Sequence, residues 1–215
     1  MGVTQGFKKR KNYIKMAKQI PPAENFSDKY LKSNFIIKKL IENFYESIKD
    51  IFFEIEVDKI LEVGCGSGFS TQYLREFLKD KNFEASEYGA DLVKEAQKRN
   101  PGVKIQQESI YELKRDSNSF DLIVALEVLE HLQDPESALR ELHRVTSKYC
   151  LISVPQEPLW RILNICRFEY LKDLGNSPGH LQHWSKKQFS KFVSNYFKVE
   201  KMKTSLPWLI ILGKK

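Results

Sequence analysis

Residues 60–70 read ILEVGCGSGFS. A short apolar run carrying the acidic Glu62 gives way to glycines at 64, 66 and 68, and then to Phe69 and Ser70. Glycine lets a backbone turn tightly and lets a ligand approach it closely. A strand, a glycine turn and a helix together surround an anion or a nucleoside with free N–H groups and the positive end of a helix dipole. Such sites lie at the carboxyl ends of strands, where the order of an α/β sheet reverses. Gly64, Gly66 and Gly68 give G-x-G-x-G, which is not the dinucleotide fingerprint G-x-G-x-x-G. The phosphate loop G-x-x-x-x-G-K-[ST] also fails, because no lysine follows.

Working outward, strands and helices alternate. KILEV (59–63) predicts a strand and Phe69 to Lys79 a helix. FEASE (83–87) predicts a strand, Asp91 to Arg99 a helix and VKIQQ (103–107) a strand. FDLIVAL (120–126) predicts a strand, and Pro135 to Val145 a helix opened by Asp134 with proline in its first turn. YCLISV (149–154) predicts a fifth strand. This alternation implies a parallel sheet with helices on both faces. Residues 155–178 hold no clean strand but carry Trp160, Phe168 and Tyr170, and they read as a helical insertion. Ser185 to Tyr196 reads as a helix capped by Ser185. FKVEKM (197–202) and PWLIIL (207–212) close the chain as an antiparallel pair, because the link between them is short. Upstream, Leu31, Phe35, Ile36, Leu40, Ile41, Phe44, Ile48 and Phe52 recur at helical spacing within Asn25 to Phe53.

The chain has 215 residues, 41% hydrophobic and 29% charged, which suits one domain with a terminal arm. No apolar stretch approaches the ~20 residues of a membrane span, and no apolar segment follows the basic N-terminus as a secretory signal would require. Cys65, Cys150 and Cys166 show no pairing pattern and indicate a reducing cytoplasm. The net charge is +7, much of it from FKKRKNYIKMAK (7–18), set off by Pro21-Pro22. This basic arm (1–22) reads as a solvated segment, with contact to nucleic acid or an anionic surface as the alternative.

A carboxylate at the end of the second strand can accept both hydroxyls of a ribose. Glu84, Glu87 and Asp91 are the nearby acids. Glu87 sits at that strand end, whereas Asp91 is accounted for by capping the next helix.

At this point the sequence resembles the class I S-adenosylmethionine-dependent methyltransferases, in the broad group that includes the ubiquinone-biosynthesis enzymes. LEVGCGSG (61–68), ASEYGADLVKEAQKRN (85–100), QQES (106–109) and FDLIVALEVLEHLQDPESALRELHRV (120–145) match four spaced family motifs, and the likeness runs from about Tyr30 to the C-terminus. Ala85-Ser86 stand where many relatives have a glycine and an apolar residue. The resemblance implies a Rossmann-like, doubly wound, seven-stranded and mostly parallel sheet with an antiparallel last strand. It also implies one domain over 23–215, with the insertion at about 156–180. It implies S-adenosylmethionine as cofactor and S-adenosylhomocysteine as product. The cofactor site would comprise Glu62, Gly64, Cys65, Gly66, Gly68, Glu87, Tyr88, Glu108, Ser109, Leu126 and Glu127. Glu62 would lie near the ammonium, Glu87 at the ribose, and Glu108 and Ser109 at the adenine.

The expected reaction is methyl transfer to a small-molecule acceptor, on oxygen, with positioning and exclusion of water supplying much of the catalysis. Tyr30 and Phe69 are candidate aromatic partners of the sulfonium, and Trp160 lies on the acceptor side. An oxygen nucleophile calls for a base. The four histidines are His131, His143, His180 and His183. His131 ends EVLEH (127–131) on the cofactor side, and His180 and His183 lie in SPGHLQHWS (177–185), whereas His143 reads as a surface residue. His131 and His180 are the expected catalytic pair, and Tyr30, Trp160 and His183 the expected acceptor contacts, with no metal. Two alternatives stand beside this. Glu127, Glu130, His131 and His180 resemble the metal set of small-RNA 2′-O-methyltransferases, which would make the acceptor RNA. The fold would equally serve as a non-catalytic cofactor-binding module.

Overall fold

The alternating pattern resolves into a seven-stranded sheet with helices packed on both faces. The computed structural model describes residues 35–166, 170–177 and 179–215. In chain order they form α1 (Phe35–Phe53), β1 (Lys59–Val63), α2 (Phe69–Phe77), β2 (Asn82–Glu87), α3 (Ala90–Arg99), β3 (Lys104–Gln107) and β4 (Phe120–Leu126). A 3-10 turn (Leu129–His131), α4 (Pro135–Val145), β5 (Thr146–Pro155) and α5 (Leu159–Cys166) follow. A second 3-10 turn (Leu171–Asp173), α6 (Lys186–Val193), β6 (Lys198–Ser205) and β7 (Trp208–Lys214) complete the order. The basic arm, the expected helix start at Asn25, Tyr30, Phe168 and Pro178 lie outside the described residues.

The strand order is β3-β2-β1-β4-β5-β7-β6. The pairs β1–β2, β2–β3, β1–β4 and β4–β5 are parallel, and β7 is antiparallel to both β5 and β6. The chain winds outward from β1 to β3, then returns to place β4 on the other side of β1. The carboxyl ends of β1 and β4 therefore flank the switch point, where crevices form in sheets of this kind.

Strand side chains alternate between faces, and the core follows this rule. Leu122, Val124 and Leu126 of β4 pack with Ile41, Ile48 and Ile51 of α1 and Leu74 of α2. Ile123 and Ala125 pack on the opposite face with Leu139 and Leu142 of α4 and Phe189 and Val193 of α6. Each fully buried leucine or isoleucine contributes about 1.5–3 kcal/mol. α3 closes a smaller cluster of Val93 and Ala96 with Ala85 and Ile105.

The helix ends carry their own signals. Asp134 caps α4, its side chain accepting from the Ser137 N–H at 3.0 Å with proline following, an arrangement worth about 1 kcal/mol. Ser185 and Gln188 form a reciprocal capping box on α6. Asp91 departs from expectation. The N-cap of α3 is Gly89, and Asp91 lies in the first turn, paired with Lys94 at 3.0 Å. β5 also begins earlier than expected, at Thr146, because α4 runs straight into it and the Thr146 hydroxyl donates back to the Leu142 carbonyl at 2.7 Å.

Candidate active site

The glycine loop is held by backbone bonds from both flanking elements. The N–H groups of Gly64 and Cys65 donate to the Ser86 carbonyl at 2.8 and 3.0 Å. From the end of α3, Asn100 donates to the Gly68 carbonyl at 2.8 Å, and Arg99 donates to the Ser67 carbonyl. Gly68 has φ +83°, and a Cβ there would lie 2.8 Å from the Ala96 Cα, so only glycine allows this approach of α3. Gly66, at φ +54°, is different: a Cβ there would meet nothing within 4 Å. The loop presents open space at the position where a ligand would lie against the backbone.

Two carboxylates face this loop. Glu87 accepts from the Gly66 N–H at 2.9 Å and from the Gly89 N–H at 2.8 Å, which fixes both oxygens while leaving lone pairs for further donors. Glu62 is buried on β1 and accepts from the Thr71 hydroxyl at 2.6 Å. Burial pushes its carboxyl up to about 7, against the lowering effect of the Ser70 and Thr71 hydroxyls. Burial, with Glu62 and Glu87 nearby, also pushes the Cys65 thiol up, so this cysteine is a packing residue and not a nucleophile. Tyr88 follows Glu87, and Leu126 and Glu127 end β4 two strands away. Glu127 holds a left-handed backbone, φ 58°, unfavourable for a side-chain-bearing residue. Its N–H and carboxylate are both tied to Ser153, the carboxylate accepting from the hydroxyl at 2.8 Å. Glu84, the acid set aside, is paired with Arg115 and Lys104. Glu108 is buried and paired with Arg115 at 3.1 Å, and Ser109 accepts from the Tyr111 N–H at 3.3 Å.

Across the edge of the sheet, the structure brings His131 and His180 together, with ring centroids 5.0 Å apart. His131 Nδ1 lies 3.0 Å from the Gly179 carbonyl. A carbonyl only accepts, so Nδ1 carries the hydrogen and Nε2 is the basic nitrogen of the neutral ring. Glu130 is buried, and its carboxylate lies 3.8 Å from His131 Nε2. The Glu130 carbonyl accepts from the N–H groups of Leu181 and Gln182 at 2.8 and 3.0 Å, which anchors the loop behind His180. Trp160 lies 5.8 Å from His180, and its indole N–H donates to Ser177 at 2.9 Å. His183 lies farther along, its Nε2 bonded to Asn176 Oδ1 at 2.7 Å, and burial lowers its pKa with help from Arg161.

Two expectations need adjustment. One face of Phe69 is covered by the Arg99 guanidinium, 3.6 Å from the ring centroid, which accounts for that ring without a sulfonium. His143 is half-buried, its ring 5.2 Å from Phe197, so it packs against the core rather than standing free on the surface. Sequence reasoning also missed Tyr45 and Tyr73. Their rings stack at 4.2 Å, and burial, then Glu62, raises the Tyr45 hydroxyl pKa, with Glu127 adding to it. The helical periodicity placed Phe44 and Ile48 on the buried face of α1, and Tyr45 shares that face, but periodicity alone does not show that it meets Glu62.

Residues 61–152 match a family model described as a methyltransferase domain. The chain is 35% identical over 102 residues to an uncharacterised methyltransferase of Schizosaccharomyces pombe, covering 42% of this chain and 37% of that protein. It is 26% identical over 132 residues to the ubiquinone biosynthesis O-methyltransferase of Pelagibacter ubique, covering 59% of this chain and 52% of that protein. The chain thus spans about half or less of the length of these curated relatives. Among solved structures, magnesium protoporphyrin IX methyltransferase of Synechocystis PCC 6803 with bound S-adenosylhomocysteine superposes with a TM-score of 0.62 at 14% identity, covering 86% of this chain and 89% of that one. That likeness shows the fold. With the match over residues 61–152, the fold agrees with that of a class I S-adenosylmethionine-dependent methyltransferase domain.

Proposed function

We propose that this chain transfers a methyl group from S-adenosylmethionine to an oxygen of a small-molecule acceptor. When bound, the cofactor supplies a methyl group already activated on a sulfonium. The fit rests on the open space at Gly66 beside the fixed Glu87 carboxylate. In this reading Gly64, Cys65, Gly66 and Gly68 line the methionine portion and Glu62 meets its ammonium. Glu87 and Tyr88 hold the ribose, and Glu108, Ser109, Leu126 and Glu127 border the remainder.

The observation that carries the oxygen chemistry is the His131–His180 pair, brought together just beyond the carboxyl end of β4. His131 Nε2 takes the acceptor's hydroxyl proton, and the Gly179 carbonyl stabilises the cation that forms at Nδ1. Trp160 and His183 shape the acceptor wall. The insertion (156–180) is then the acceptor-side part of one domain spanning 23–215. The free Cys65, Cys150 and Cys166 support a reducing compartment such as the cytoplasm. No helix among the described residues is long and apolar enough to cross a membrane.

The test is S-adenosylhomocysteine release over a panel of phenols, sugars and carboxylic acids. Turnover that falls in His131→Ala and His180→Ala, with cofactor affinity kept, supports the assignment. Full activity in both variants overturns it.

One observation favours a second reading. Ligand atoms of Glu130, His131 and His180 all lie within 4.8 Å of one another. A divalent ion there would acidify an acceptor hydroxyl. Glu127, expected in that set, is instead bonded to Ser153. The RNA acceptor that went with the metal leans on the basic arm, outside the described residues. Activity unchanged by EDTA and by Mn²⁺ removes this reading.

A further inference from the structure

On the buried face of α1 one residue is out of character. Ile41, Phe44, Ile48, Ile51 and Phe52 are hydrocarbon, whereas Tyr45, about one turn from both Ile41 and Ile48, carries a hydroxyl. The Tyr45 ring is well packed. It stacks on Tyr73 of α2 with centroids 4.2 Å apart and planes 4° apart, and it meets Phe44 edge-on at 5.2 Å. Its oxygen is not so provided. Tyr45 is only 5% exposed, yet its hydroxyl makes no hydrogen bond among the described residues. Buried tyrosine hydroxyls nearly always find a partner. The oxygen is not sealed in protein either, since the residual exposure of Tyr45 includes it.

The surroundings of that hydroxyl are acidic. Ile60 of β1 and Leu122, Val124 and Leu126 of β4 pack on the α1 side of the sheet. Strand side chains alternate, so Glu62, two residues beyond Ile60, faces α1 as well. Glu62 and Glu127, near the carboxyl ends of β1 and β4, both act electrostatically on the Tyr45 hydroxyl. Neither is bonded to it: Glu62 accepts from the Thr71 hydroxyl and Glu127 from the Ser153 hydroxyl. Burial raises the Tyr45 pKa well above its ordinary value, with Glu62, Tyr73 and Glu127 adding to the rise. The group is therefore a neutral hydroxyl with lone pairs to offer.

We infer that the Tyr45 hydroxyl is a binding contact for the cofactor, accepting a hydrogen bond from the ammonium of its methionine portion beside Glu62. The inference rests on the cofactor reading given above, and it adds a residue of α1 to a site otherwise built from the glycine loop and strand ends. An ammonium is a cation, and two carboxylates flank this hydroxyl. It also brings three donors, enough for Glu62 and Tyr45 together. A ligand carboxylate would instead face Glu62 and Glu127, and an apolar group would leave the oxygen unmet. The stack on Tyr73 fixes the ring, so little ordering is needed when the ligand arrives.

The test is calorimetric titration of the full chain, wild type and Tyr45→Phe, with three probes. S-adenosylhomocysteine carries the whole methionine end. Its decarboxylated analogue keeps the ammonium without the carboxylate. Methylthioadenosine keeps the adenosine and thioether but lacks the amino-acid end. Tyr45→Phe is expected to weaken the first two about tenfold and to leave methylthioadenosine unchanged. It removes an oxygen with no protein partner, so its melting temperature should equal or exceed that of the wild type. Equal loss for all three probes would make Tyr45 a packing residue and overturn the inference, as would no loss for any. Loss for S-adenosylhomocysteine but not for its decarboxylated analogue would move the contact to the carboxylate and overturn it too. If methylthioadenosine fails to bind, the melt decides: a Tyr45→Phe chain less stable than the wild type makes the loss one of packing, against the inference. A wild-type chain that does not hold S-adenosylhomocysteine is a different result, which overturns the proposed function itself and this contact with it.

Discussion

The glycine loop after β1 and the loop that carries His180 both reach the edge of the sheet where the strands end, yet they are held in different ways. The glycine loop is fixed by backbone atoms and by residues of the adjoining β2 and α3: Ser86, Glu87, Arg99 and Asn100. The His180 loop is fixed across long stretches of chain. Glu130 binds Leu181 and Gln182, Gly179 binds His131, and Asn164 and Trp160 both reach Ser177, which is fully buried. The first region needs particular backbone shapes, and the second needs particular side chains from distant elements. Damage to the first should therefore remove the cofactor, and damage to the second should slow turnover while the cofactor still binds.

The largest effect is expected from Gly66→Val. Its branched side chain would occupy the open space at the loop and strain a left-handed backbone, so S-adenosylhomocysteine binding should vanish while the protein still folds, with a melting temperature lowered by several degrees. Retained affinity by calorimetry would move the ligand elsewhere. Next, His131→Ala and His180→Ala should each lower kcat by about 10²–10⁴-fold, the range for loss of a general base, with cofactor affinity nearly unchanged. A fall in affinity that matches the fall in kcat would merge the two regions into one. Glu87→Ala should weaken S-adenosylhomocysteine by about ten- to a hundredfold through lost charge-assisted hydrogen bonds. Unchanged binding would transfer the ribose to another acid.

The effect confined to a pH window concerns Glu62. Its folded-state pKa, about 7, is raised above the ordinary 4.5. The neutral carboxyl is favoured by folding, so its contribution to stability is complete below about pH 4.5 and is lost as pH rises to about 7. Melts of the wild type should lose stability relative to Glu62→Gln across that window, by about 1.4 kcal/mol per pH unit at most. Parallel curves would show that Glu62 titrates normally. If the carboxylate meets the ammonium, S-adenosylhomocysteine affinity should also rise as pH passes through 7.

The same contrast explains what could be read from the sequence. The glycines, Glu87 at a strand end, Asp134 before a proline and Ser185 before Gln188 act on near neighbours, and each is visible as a local pattern. The alternation of strands and helices was enough for the parallel part of the sheet, and the short link before PWLIIL for its antiparallel close. Asp91 misled because an acid near a helix start suits either the cap or the first turn, and Gly89 took the cap. Phe69 could not be assigned because the Arg99 that covers it is brought back by α3. Tyr45 gave no signal, since its meaning lies in its burial against Tyr73 and near Glu62. His131 and His180 were legible as chemistry, but their 5.0 Å approach depends on hydrogen bonds that span the insertion.

The most direct test of the central claim is calorimetric titration of the wild-type chain with S-adenosylhomocysteine, in EDTA and again with Mn²⁺. One-site binding with the same affinity in both is expected, because the glycine loop and Glu87 are held by the chain's own backbone and side chains and lie on strands away from the Glu130, His131 and His180 cluster. Absence of binding, or binding seen only with Mn²⁺, would contradict it.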